Sequence, residues 1–117
     1  MDIKQYGGTY VTIRTVDDQI FFGRVIDYIF PEDNEPEGES IVLRSPVHRG
    51  ILFEFRPKEI MDIKEIEQYD RVLLKDGTRA SVVEIFDNGK VFLADIDKPE
   101  GTVTENLRPE DIIKVLQ

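Results

Sequence analysis

The side chains able to do chemistry are unevenly spread along this chain. Its 117 residues include 24 carboxylates and 15 Lys or Arg, but a single histidine and no cysteine. Without cysteine there is no thiolate nucleophile, no zinc–thiolate site and no disulfide. His48 lies in the turn-like stretch Ser45-Pro46-Val47-His48-Arg49-Gly50. Acid–base catalysis needs an oriented partner, and this stretch offers none, so His48 is read as a solvent-exposed turn residue. The Gly7-Gly8 pair is not followed by Gly-Lys-Ser/Thr, so it is no phosphate loop. Tyr6, Tyr10, Tyr28 and Tyr69 could stack on bases, but interleaved Lys or Arg is missing, which favours a packing role. Glu54 lies between Phe53 and Phe55, and strand alternation turns it outward. Glycosidase-type work would need two carboxylates at a set separation in a cleft. No catalytic residue and no cofactor are therefore expected.

The densest run of carboxylates is Glu32, Asp33, Glu35, Glu37 and Glu39, inside a Pro- and Gly-containing loop over residues 31–39. Asp33, Glu35, Glu37 and Gly38 are spaced roughly as in a calcium loop. The twelfth position from Asp33 is Arg44, which cannot coordinate, so no metal site is expected. Two readings remain. The loop is a solvated guard that keeps a neighbouring edge strand from pairing, or it is an interaction surface aimed at a basic partner. Net charge supports the second, at −9 for the whole chain. Residues 1–66 hold 8 basic and 13 acidic side chains, and residues 67–117 hold 7 and 11, so no basic half is hidden. Duplex binding rests on Lys and Arg neutralising phosphates, so nucleic acid is disfavoured as a partner.

The elements that position these residues are short strands. Residues 10–16, 20–28, 40–44, 51–55 and 60–66 are rich in alternating or β-branched residues, and turn signals separate them. Gly23, inside the second strand, predicts a bulge or sharp bend. The pattern then restarts with strands over 70–75, 79–86, 90–95, 102–107 and 112–116, the loop 97–101 lying before the fourth. No segment shows helical periodicity. No apolar run reaches 18 residues, so no membrane span is expected. The first residues lack a cationic start before an apolar stretch, so a cytoplasmic location is expected.

The two halves resemble each other. Phe55-Arg56-Pro57-Lys58-Glu59-Ile60-Met61-Asp62-Ile63 aligns with Leu107-Arg108-Pro109-Glu110-Asp111-Ile112-Ile113-Lys114-Val115. Asp18-Gln19-Ile20-Phe21-Phe22-Gly23-Arg24-Val25 aligns with Asp76-Gly77-Thr78-Arg79-Ala80-Ser81-Val82-Val83. The expected fold is all-β: two tandem five-stranded small β-barrels over 1–66 and 67–117, packed on each other because units this small bury little alone. Phe21, Phe22, Phe53, Phe55, Phe86 and Phe92 are expected to share that burial.

The first half resembles the Sm-like (LSm) family through Val11-Thr12-Ile13, Asp17-Asp18, Phe22-Gly23-Arg24-Val25, Ser40-Ile41-Val42-Leu43 and Arg56-Pro57-Lys58-Glu59-Ile60. The resemblance spans residues 8–66. Residues 70–116 resemble it more loosely, or the Src-homology-3-type barrel. The loop Asp33-Asn34-Glu35-Pro36-Glu37 before Glu39-Ser40-Ile41 is similar to that of small uncharacterised bacterial Sm-type proteins. The family implies RNA binding by an Asn after the central loop and an Arg-Gly pair in the last loop. Here Ser40 stands near the Asn position, Pro57 replaces the Gly, Glu59 adds a carboxylate, and Arg56 alone survives. A carboxylate repels phosphate and proline removes a backbone donor. The expected function is a non-enzymatic protein-interaction or accessory module, engaging a basic protein through its acidic surface. The alternative is a diverged Sm-like RNA binder using Arg24, Arg44 and Arg56, with Arg14 and Arg49 extending the basic face. Self-association through edge strands belongs to that alternative.

Overall fold

A computed structural model describes residues 1–116 as an all-β chain. It divides into two compact units, Met1–Glu65 and Ile66 onward.

The first unit holds β1 (Tyr10–Thr15), β2 (Ile20–Ile29), β3 (Ser40–Arg44), β4 (Leu52–Phe55) and β5 (Ile60–Glu65) in one antiparallel sheet ordered β4-β3-β2-β1-β5. Alternation sends Val11 and Ile13 of β1 to the inner face, where they are fully buried with Val25, Ile41 and Leu43. Ile3, Phe55, Ile60 and Ile63 complete that core, and Phe21 and Phe53 pack against it half-buried. Pro57–Glu59 forms one 3-10 turn between β4 and β5. Proline presets φ there and its missing N–H costs nothing at the first position of a turn.

The second unit holds β6 (Arg71–Leu74), β7 (Arg79–Phe86), β8 (Val91–Lys98), β9 (Gly101–Leu107) and β10 (Ile112–Leu116), ordered β10-β6-β7-β8-β9. Read from the other edge, this is the strand order of the first unit. A 3-10 turn over Pro109–Asp111 again precedes the last strand. The irregularities also correspond. The β2–β3 register shifts between Val25 and Asp27, and the β7–β8 register between Val82 and Glu84. Val72, Ala80, Val82, Phe92, Ala94 and Ile112 are buried in this half.

Five expectations need correction. No backbone ladder joins β4 to β5, or β9 to β10, so the two five-stranded sheets are not closed barrels. Gly23 is not the bulge of β2, because the register is regular at its pair with Val11 and slips only after Val25. Its role is close approach: a Cβ there would stand 2.2 Å from the Arg44 carbonyl oxygen. The loop expected over 97–101 is a two-residue Pro99-Glu100 connection, because β8 continues to Lys98 and β9 starts at Gly101. Phe86 ends β7 at 44% exposure rather than joining the core. Ile51 also falls outside β4, being exposed in the turn before it.

Candidate functional site

The acidic loop joins β2 to β3, and its two ends are tied down by polar side chains. Pro31–Asp33 makes one 3-10 turn. Asn34 then closes the loop on itself: its Nδ2 donates to the Gly38 carbonyl at 2.8 Å, and the Gly38 N–H donates back to the Asn34 carbonyl at 2.9 Å. A short amide side chain that can bond nearby backbone favours such turns. Next to it, the Ser40 hydroxyl is fully buried and donates to Glu54 Oε2 at 2.7 Å. Asn34 Nδ2 also reaches that oxygen at 3.4 Å. Glu54 therefore works as an anchor for the loop base, rather than as a merely outward strand residue.

Glu39 differs from the other acidic residues of the loop. It accepts a hydrogen bond from the Tyr28 hydroxyl. That bond, with burial and the nearby negative charge of Glu39, pushes the Tyr28 phenol up to about 12. Lys4 Nζ lies 4.8 Å from the Phe30 ring centroid and 5.9 Å from that of Tyr28, and the two rings meet edge to face. Glu32, Asp33, Glu35 and Glu37 remain exposed, and their side chains make no hydrogen bond or ion pair among the described residues. Of the five predicted partner-binding carboxylates, four thus face solvent from a pinned loop, and Glu39 is spent on its anchorage. Among the described residues no three His, Cys, Asp or Glu come together as metal ligands would.

The five arginines of the RNA-binding alternative lie in different settings. Arg24 and Arg44 face each other directly across the β2–β3 ladder, so both side chains leave the same face of the sheet. Arg24 Nε donates to the Gly8 carbonyl at 3.4 Å. Arg56 lies outside that row, at the corner after β4. Its guanidinium lies 3.9 Å from Glu54 and 3.6 Å from Glu59, while its backbone N–H donates to Glu59 Oε1 at 2.9 Å. Arg14 sits 3.6 Å from Asp18. Arg49 is exposed in the turn after β3. His48 is exposed too, its Nδ1 3.1 Å from Ser45 Oγ and its ring edge-on to Phe53.

Sequence reasoning missed Tyr28, Asn34, Ser40 and Glu54 as the residues that shape the loop. The one legible signal was Asn34 four residues before Gly38 in a loop. The Ser40–Glu54 bond depends on the β3–β4 register, which pairs Val42 with Glu54, and no local pattern fixes that register. No protein-family model, curated protein or solved structure matches the chain.

Proposed function

We propose that this chain is a non-enzymatic interaction module, acting as an accessory or regulatory subunit in the cytoplasm, that takes a basic protein segment on its acidic loop. The reading includes an Sm-like or Src-homology-3-like ancestry for each five-stranded unit, supported by the common strand order and the 3-10 corner before each last strand. One observation carries the functional reading. Glu32, Asp33, Glu35 and Glu37 stand exposed and unpaired among the described residues, on a loop held by Asn34, Glu39 and Ser40. A pre-shaped anionic loop loses little freedom on binding. Its charges steer a cationic partner over a range set by salt.

The experiment is affinity enrichment from lysate with the full chain and with a fourfold variant, E32Q/D33N/E35Q/E37Q. Each sample is split into nuclease-treated and untreated halves. A stoichiometric protein that survives nuclease, elutes with salt and is lost from the variant supports the reading. Capture that is equal for the variant overturns it. So does enriched RNA whose companion proteins vanish on nuclease treatment, and that result favours the Arg24–Arg44 pair as a phosphate contact. Arg56 contributes little to that second reading, since Glu54 and Glu59 flank its guanidinium.

A further inference from the structure

Four strands form sheet edges: β4 and β5 in the first unit, β9 and β10 in the second. Three of them carry devices that discourage further pairing. β4 is only four residues long. β5 bears Asp62, Lys64 and Glu65 and has a register shift against β1. β10 bears Lys114 and has a shift against β6. Short length, edge charges and bulges are the usual protections of an exposed edge.

β9 is neither short nor shifted in register. It runs seven residues, Gly-Thr-Val-Thr-Glu-Asn-Leu, and pairs with β8 at every position without a shift. It contains no Lys, Arg or Pro, and its one charge, Glu105, is held by Lys98 at 2.6 Å. On the side away from β8, no backbone hydrogen bond to β9 occurs among the described residues. Thr102, Val103 and Thr104 are all exposed. Val103 is paired with buried Ile96, so it belongs to the apolar face, yet it stays 38% exposed at the rim.

We infer that the free edge of β9 docks a second copy of this chain, antiparallel about a two-fold axis at Val103. The local sequence is self-complementary in that register. Val103 meets Val103 of the second copy, Thr102 meets Thr104, and Gly101 meets Glu105. A two-fold antiparallel pair keeps each residue on its own face, so only registers centred on a residue are allowed. Centring on Thr104 instead would set Val103 against Glu105. Centring on Val103 covers the exposed rim of the apolar face, forms cross-strand Thr–Thr pairs and places no like charges opposite each other. The continuous sheet then gains the backbone bonds that the open edge lacks. Each copy carries a net charge of −9, so association is opposed at long range and is strengthened by salt. Capture of a basic segment on the acidic loop responds to salt in the opposite sense, which keeps the two proposals separable.

The test is sedimentation equilibrium of the full chain at low and physiological ionic strength, with three variants. The wild-type chain is expected to dimerise and to tighten about tenfold as salt screens the repulsion. Val103→Glu sets two carboxylates against each other at the axis and is expected to weaken the dimer more than about tenfold. Because that substitution touches the apolar face, cysteine trapping provides an independent reading. The chain has no native cysteine. Val103→Cys puts two thiols about 5 Å apart by Cα and is expected to crosslink under mild oxidation. Thr104→Cys places its two copies out of register, about 8 Å apart, and is expected to stay reduced. A wild-type chain that is monomeric at both ionic strengths overturns the proposal. So does crosslinking of Thr104→Cys as fast as Val103→Cys, or a Val103→Glu chain that folds and dimerises like wild type.

Discussion

Tyr28 shows how one proton reports on the loop. Its hydroxyl donates to Glu39, and this bond holds the phenol in its protonated form up to about 12, against an ordinary 10.0. A folded-state value above the unfolded one means that the contribution is fully present below pH 10.0 and fades as pH rises toward 12. Ultraviolet titration of the wild type minus that of Tyr28→Phe is expected to give a transition near 12, moving back toward 10.0 in Glu39→Gln. A midpoint unmoved by Glu39→Gln shows that the bond does not set it. The sequence marked Glu39 as one of five loop carboxylates, but it could not separate Glu39 from the others. Tyr28 is 11 residues away, and only the folding back of β3 on β2 brings the two together.

At the scale of elements, the sharpest constraint is where β2 passes the end of β3. A methyl on Gly23 would sit 2.2 Å from the Arg44 carbonyl oxygen, 2.8 Å from its carbon and 3.0 Å from the Ser45 Cα. These are backbone atoms, so no rotamer change relieves them. Gly23→Ala is expected to cost about 1–3 kcal/mol, as overpacking does, read as a lower midpoint in urea with an unchanged slope. A variant as stable as wild type means that β2 and β3 can separate freely there. The glycine was visible in the sequence, but its cause was not. The expectation there is a bulge or sharp bend, whereas the bulge lies past Val25 and the glycine marks a close backbone approach. Element identity was far more legible. Ser40–Arg44, Arg79–Phe86 and Ile112–Leu116 emerge at the residues their alternation indicates, because strong β-branched runs bounded by turns leave little choice. The largest extension concerns β8, which runs past Asp95 to Lys98. There Ile96–Val103 and Asp97–Thr102 pairing outweighs the local turn signal of Pro99.

For the whole molecule, charge matters more than any single ion pair. Arg71–Asp97, Lys98–Glu105 and Arg108–Glu110 are partly exposed surface pairs, each worth little in water. A net charge of −9 on 117 residues opposes the compact state through self-repulsion, which salt screens. The melting temperature at neutral pH is therefore expected to rise with added sodium chloride in scanning calorimetry. A fall would mean that the exposed pairs outweigh the net repulsion. The repeated organisation was readable from the Arg-Pro corners, because proline and the acidic residue after it recur with the same flanking apolar spacing. Whether each sheet closes was not readable. Whether the last strand completes a barrel depends on curvature and long-range pairing, which no local pattern encodes.

In each sheet the last strand lies beside the first: β5 on β1, and β10 on β6. A chain leaving the ribosome therefore cannot finish its first sheet until Glu65 has emerged. Once it has, all four ladders of that sheet are available, since every strand they join comes from the first unit. The leading half can be complete while the trailing half is still in the exit tunnel. For two units of one strand order, such sequential folding disfavours strand exchange between them.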